Sequence, residues 1–323
     1  MTIRDELLIH LEEVAGNWVS SKSLGDILGV SRSTVLGHIS RLKKDSYPIE
    51  YIPHKGYALR ETSDLLVPRR IREGLETKAF GKKEILYFTE IDSTNLKAKG
   101  LAASGAPEGT IVISERQTKG RGRKTRGWFS PPRDGIYLSL ILRPNIAPRS
   151  APSMTLLTAV AIAETLLSVP GLEIAIKWPN DILARGRKLA GILTEMSTIG
   201  ERIDYAVVGL GLNVNTSRFP DEIEDRATSI LIETGQRVRR VTLAKEYLKW
   251  HEEYYDVFQR IGFEPIRKRW KELTNMMGQQ VTVETIGREY TGKVQDIDDG
   301  GALILRDETG GYHRVIFGDV TLR

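Results

Sequence analysis

The hydrophobic pattern of this chain changes character twice, near residues 60 and 275, and no single domain type accommodates all three regimes. The first 60 residues carry short helical stripes: over 5–15, Leu7, Leu8, Leu11 and Val14 share one face. Ser20 is placed to cap a helix ending at Leu28, Gly29 suits a left-handed turn, and Ser31 can cap a second helix reaching about Lys44. Val35, Ile39 and Leu42 stripe that second helix, and 49–52 and 56–59 read as strands around Pro53-His54-Lys55. Helix, helix–turn–helix, hairpin is the order of a winged helix-turn-helix.

Between 65 and 270, strand-like segments at 85–91, 110–114, 136–142, 173–178, 191–195 and 205–214 mix with helical ones at 93–103, 150–168 and 242–260. Without strict β–α–β alternation, this predicts an α+β mixed sheet layered by helices rather than a doubly wound fold. Beyond 275, short strands at 281–285, 289–297, 302–306 and 312–317 between Gly and Asp turns predict a small β-barrel. The expected domains are 1–64, 65–273 and 274–323, with Val67-Pro68-Arg69-Arg70 as a linker.

Composition narrows the chemistry. The absence of cysteine removes disulfides, thiolate-held zinc or iron–sulfur sites and any thiol nucleophile. No run of 18 apolar residues occurs and no apolar core follows Met1, so a soluble, cytoplasmic protein without a membrane partner is expected. A net +5 over 323 residues is a weak global field. Its placement says more: residues 1–60 hold 8 Lys+Arg against 7 Asp+Glu, whereas residues 115–133 hold seven Lys+Arg and one acid.

A helix-turn-helix presents the start of its second helix to base edges, here Ser31, Arg32, Ser33 and Thr34. Arg41, Lys43, Lys44, His54 and Lys55 are available to phosphates, and Gly25 is small where the two helices pack. With so little net charge, a protein-interaction module is the alternative. Gly37, in mid-helix, costs roughly 1 kcal/mol against alanine.

The densest signal is Gln117-Thr118-Lys119-Gly120-Arg121-Gly122-Arg123-Lys124-Thr125-Arg126-Gly127-Trp128. Glycines let backbone N–H groups approach an anion, and arginines grip phosphate or carboxylate oxygens bidentately. Arg123 stands where a P-loop requires Gly, and Thr125 where a dinucleotide fingerprint requires its third Gly. A solvated basic loop is the alternative, against which Trp128 argues. Downstream, Lys177-Trp178-Pro179-Asn180-Asp181 precedes Arg187-Lys188-Leu189-Ala190-Gly191-Ile192-Leu193, where a hairpin returns Lys188 to the sheet and Gly191 opens a strand to a ligand. Asp92-Ser93-Thr94-Asn95 marks a strand-to-helix junction. Read singly, these two could be a β-turn and an N-cap. The five histidines (His10, His38, His54, His251, His313) show no metal-ligand or triad spacing.

In this order behind a winged helix, the motifs resemble the biotin protein ligases over essentially the whole chain, and among them the bifunctional bacterial enzymes that also repress the biotin operon. The resemblance implies a central domain like class II synthetases and biotin–lipoate ligases, and an SH3-like barrel after it. It implies that Ser93, Thr94, Asn95, Gln117, Gly120, Arg121, Gly122, Arg123, Trp128, Lys188, Gly191 and Asn213 meet biotin or its adenylate, with Arg121, Arg123 and Lys188 carrying the catalytic charge. Ser93, Thr94 and Gln117 would complement the ureido group, while Trp128 or Trp178 would enclose the rings and adenine. ATP and biotin would be substrates, with Mg²⁺ on the phosphates, Asp181 a candidate beside it, and no tightly bound prosthetic group. The implied partners are a biotin carboxyl carrier domain, operator DNA, and a second copy of the chain once the adenylate is bound. Gly37 departs from the family's commoner recognition helix.

Two rivals share parts of this reading: a pure transcription factor sensing a small anion, and a lipoate ligase. Octanoyl transfer through a cysteine thioester is excluded by composition. The 117–128 loop, rich in glycine and cations, is expected to be mobile when empty and to close over an adenylate.

Overall fold

The computed structural model describes residues 1–14, 16–45, 47–59 and 64–322. Ala15, where the first helix was expected to end, and residues 60–63, just before the expected boundary at 64, lie outside the described residues. The chain begins with α1 (Ile3–Glu13), α2 (Ser21–Leu28), α3 (Arg32–Lys44), β1 (Ile49–Ile52) and β2 (Gly56–Leu59). Thr2 and Asp5 form a reciprocal capping box on α1, Ser20 and Ser31 accept from the backbone of Ser23 and Thr34, and Gly29 ends α2 at φ 64°. A Cβ on Gly25 would stand 2.7 Å from the Val30 carbonyl oxygen, so the turn between the helices requires glycine there.

The central part comprises α4 (Pro68–Arg72), β3 (Ile85–Phe88), α5 (Thr94–Ala103), β4 (Ile111–Ser114), β5 (Gly135–Leu142), α6 (Ala151–Leu167), β6 (Ile174–Lys177), β7 (Asp181–Ala184), β8 (Arg187–Ile199), β9 (Arg202–Asn213), α7 (Ile230–Thr234), α8 (Arg240–Ile261) and α9 (Glu264–Leu273). The seven strands run β3-β4-β5-β9-β8-β7-β6, with β3–β4 parallel and the other pairs antiparallel. One face is covered by α5, whose Ala98 and Ala102 meet Val112, Ile141 and Val207. The other carries α6, α8 and α9 over Ile111, Leu138 and Val208. Residues 148–167 are long and apolar enough to cross a membrane by length and composition, yet most of that stretch is buried as a core helix.

The expected linker at 67–70 is instead the start of α4, because Pro68 pre-sets a helical first turn and Ile71 is buried beneath it. α9 was not expected, and Pro265 likewise stands in its first turn. The last part is an antiparallel sheet of β10 (Gln280–Thr285), β11 (Arg288–Ile297), β12 (Leu303–Arg306), β13 (Tyr312–Val315) and β14 (Asp319–Leu322), ordered β13-β12-β11-β10-β14. β14 was not expected.

Trp178 does not reach the ligand space. It is buried, with its Nε1–H donated to the Gly301 carbonyl at 3.0 Å, so its ring joins the central and last parts. The first part is tied on by Asp5, whose carboxylate accepts from Thr89 N at 2.8 Å, and by Tyr47, whose ring centre lies 5.0 Å from the guanidinium carbon of Arg133.

Candidate active site

A cavity of about 750 Å³ opens between the start of α5, the 117–128 loop, the β7–β9 strands and the head of β14. It brings together Ser93, Thr94, Asn95, Gln117, Arg121, Gly122, Arg123, Trp128, Lys188, Gly191 and Asn213, which lie far apart in sequence. Gly120 stands behind the lining, where a Cβ would come 2.5 Å from the Trp128 carbonyl oxygen.

One end is neutral and densely bonded. Thr94 N donates to Gln117 Oε1 at 2.9 Å, and Gln117 Nε2 donates to Ser130 Oγ at 3.0 Å. Asn95 Nδ2 donates to the Leu193 carbonyl at 3.1 Å and to Glu195 at 3.2 Å. Burial pushes the Glu195 carboxyl up, but hydrogen bonds from Lys99 and Asn95 prevail and hold it below the ordinary carboxylate range.

The floor is two glycines facing each other across the sheet, Gly191 on β8 and Gly211 on β9. Trp128 lies over both: a Cβ would meet its ring at 2.9 Å on Gly191 and 2.4 Å on Gly211. Trp128 Nε1 and Asn213 Oδ1 are buried with no hydrogen-bond partner among the described residues, a donor and an acceptor left over in the ligand space.

The other end is cationic. Lys188 Nζ is 2.7 Å from Asp181 and 5.4 Å from the centre of the Trp128 ring. Arg123 Nη1 donates to Asn180 Oδ1 at 3.0 Å and to the Gly318 carbonyl at 3.1 Å, and burial draws its pKa down, as it does that of Lys177. Asp319, at the head of β14, takes Arg126 at 2.5 Å and Lys124 at 3.2 Å, with Arg123 at 3.8 Å. Burial pushes the Asp319 carboxyl up, but Lys124, Arg126 and Arg123 outweigh it and hold it below the usual range. A carboxylate from the last sheet thus stands as an anion before the cations of the loop, which closes on itself through Gly122 N to Arg126 O at 2.7 Å.

Asp319, Lys177, Phe219, Ile223 and Arg226 line the cavity without having been anticipated. Lys177 opens the Lys-Trp-Pro-Asn-Asp motif but was not singled out within it, whereas the other four sit in no local motif, so no signal short of the tertiary fold marks them. Among the described residues no group of three or more His, Asp or Glu could hold a metal ion, and Asp181, expected beside Mg²⁺, is paired with Lys188. On α3, Ser31, Arg32, Ser33, Thr34, Arg41 and Lys43 are all exposed. The Ser31 hydroxyl bonds those of Ser33 and Thr34 at 2.8 Å each, and Arg32 Nε donates to Ser21 at 3.0 Å.

Known proteins align with this architecture part by part. Residues 86–213 match the model of the biotin/lipoate A/B protein ligase family, residues 4–58 an HTH domain, and residues 277–323 the biotin protein ligase C terminal domain. The bifunctional ligase/repressor BirA of Bacillus spizizenii is 38% identical over 99% of both chains. That of Escherichia coli is 32% identical over 95% of this chain and 94% of its own. Among solved structures, a biotin protein ligase from Aquifex aeolicus in complex with biotin and ATP superimposes with a TM-score of 0.64 at 28% identity, covering 75% of this chain and 99% of that one.

Proposed function

We propose a reaction course from the premise that this chain belongs to the bifunctional ligase/repressor family of biotin protein ligases. It is a biotin protein ligase and a DNA-binding repressor. The observation that carries the reading is the polarity of the cavity, neutral at the α5 end and cationic at the β14 end, across a tryptophan–glycine floor.

In the first step a biotin carboxylate oxygen attacks the α-phosphorus of ATP. The bond to the bridging oxygen breaks, pyrophosphate leaves, and biotinyl-5′-AMP forms. The barrier is charge: two like charges 4 Å apart repel by about 4 kcal/mol at an effective dielectric of 20. Arg121, Arg123 and Lys188 offset it. In the second step the neutral amine of an acceptor lysine attacks the acyl carbon, the bond to the phosphate oxygen breaks, AMP leaves, and the amine proton passes to water. No enzyme nucleophile is needed, so positioning supplies the catalysis.

Thr94 and Gln117 meet the ureido group, Trp128 covers the ligand, and Asn213 Oδ1 accepts from the adenine amino group. Mg²⁺ arrives with the ATP phosphates as part of the substrate. The acceptor is a biotin carboxyl carrier domain in the cytoplasm. The adenylate-bound chain pairs with a second copy and reads a palindromic operator through Ser31, Arg32, Ser33 and Thr34, with Arg41 and Lys43 on phosphates.

Incubation with ATP, labelled biotin and a carrier domain tests the enzyme, with label expected on the carrier. Transfer of lipoate in place of biotin would overturn the substrate. Sedimentation tests the corepressor: biotin with ATP should shift the chain toward dimer, and an unmoved equilibrium would remove adenylate-driven pairing.

A further inference from the structure

Lys188 sits where the sheet runs out. The ladder between β8 and β9 ends at Ala190 and Leu212, two residues short of it. On its other side the pairing with β7 shifts register between Ile182 and Leu183, and Leu183 is the residue opposite Lys188. Neither neighbouring strand therefore fixes this stretch of β8 as a regular ladder would.

Beyond the ladder, the place of β9 is taken by residues 214–229, which form neither helix nor strand. Phe219, Ile223, Arg226 and Ala227 of this segment line the same cavity as Lys188. One isolated bridge joins the two: Lys188 N donates to Arg226 O at 2.8 Å, and Thr228 N donates to Lys188 O at 2.9 Å. Two bonds without a ladder around them specify a register only weakly.

Glu233, in α7 just after the segment, supplies the missing tie. Its side chain is 3% exposed. Oε1 accepts from Thr228 Oγ1 at 2.5 Å and from Arg187 Nη2 at 2.8 Å, and Oε2 stands 3.7 Å from Arg185 Nε. Successive strand residues point to opposite faces, so Arg187 reaches Glu233 behind the strand while Lys188 enters the cavity. Among the described residues no other acid pairs with either arginine, and no other side chain joins this hairpin to the segment. The segment's other anchors run to β9 or stay within it: Asn213 Nδ2 to Thr228 O, Leu231 N to Val214 O, and Ser229 Oγ to Thr216 O.

We infer that Glu233 is a positioning residue for adenylate formation: it locks the cavity wall at 219–227 to the strand that carries Lys188, so that the nucleotide held by the wall meets the ammonium in one register. The inference rests on the biotin reading above and adds a residue that does not itself line the cavity. Positioning of this kind is where a small displacement is costly, since a shift of about 1 Å at a reacting centre can lose 100-fold in rate. The arginines are 38% and 61% exposed, so water can take over their charges when the carboxylate is neutralised, and the loss falls on position rather than on the fold.

The test follows pyrophosphate release from biotin and ATP. Glu233→Gln keeps the shape and an acceptor for Thr228 but lets go of the arginines. Its kcat should fall by about tenfold, with KM for biotin close to wild type. Arg187→Gln removes the same contact from a partly exposed side chain, which keeps the test open if the Glu233 variant does not fold, and it should match that loss. Arg187→Lys retains the charge and should recover most of the rate. A double-mutant cycle separates positioning from general damage. In a Lys188→Ala background either glutamine variant should lower kcat by less than about twofold, because the group being positioned is gone. The full loss in both backgrounds, or an unchanged kcat in the Glu233 or Arg187 glutamine variant, overturns the inference. A wild-type chain that releases pyrophosphate with lipoate and not with biotin overturns the reading beneath, before any variant is made.

Discussion

At the α5 end of the cavity Thr94, Asn95 and Gln117 are neutral and already bonded to one another's surroundings, whereas at the β14 end the cations of the 117–128 loop are held by a carboxylate of the last sheet. Neutral amides and hydroxyls can be fixed in advance, since each bond is satisfied and no net charge is left over. Clustered cations cannot wait unpaired without repelling one another, so they are compensated by Asp319, and an arriving triphosphate exchanges one anion for another. The biotin end is therefore a mould and the phosphate end a replaceable contact. The expected mobile empty loop is sharpened by this: its glycines permit motion, but Asp319 supplies the anion that its cations need.

The largest break in the comparison should come from Lys188→Ala, which removes charge from the phosphate end alone. Loss of one such group costs about 100-fold in adenylate formation at saturating biotin, read as pyrophosphate release, with KM for biotin moving far less. An unchanged rate would take Lys188 out of the catalytic set. The converse change is Gly209→Ala, whose methyl would meet the Asn95 amide at 2.0 Å. It should raise KM for biotin by about tenfold or more while KM for ATP stays close to wild type. If both constants rise together, the two ends are one mechanical unit and the contrast fails.

Local chemistry was the legible part of this molecule. The caps at Ser20 and Ser31, the glycine at 29, and the order of the loop, the Lys-Trp-Pro-Asn-Asp turn and Ser93-Thr94-Asn95 all act within a few residues, where spacing is informative. Trp128 and Trp178 look alike in sequence, each an aromatic beside cations, and only burial separates the one over the glycine floor from the one pinned to Gly301. Ser139 reads as a polar interruption of a strand until Asn95 is seen above it. Asp319 is nearly 200 residues from the arginines it holds, a distance over which no periodicity carries information.

The smallest expected effect concerns that last contact. Lys124 and Arg126 are substantially exposed, so each ion pair to Asp319 contributes only about 0.2–1 kcal/mol. Asp319→Asn should therefore quicken tryptic cleavage of the empty loop by only about two- to fivefold. Biotin with ATP should abolish that difference, because the phosphates then hold the cations. Salt and pH separate the contact from a structural role for the side chain. Raised salt should speed cleavage of the wild-type loop toward the variant's rate and leave the variant itself nearly unmoved. The Asp319 carboxyl is held below its ordinary value of 3.8, so the contact is complete above that value and lost only as pH falls through the lowered one. The ratio of the two cleavage rates should consequently be flat from pH 6 to pH 9. A ratio that drifts across that window, or a variant as salt-sensitive as the wild type, would mean that another group holds the loop.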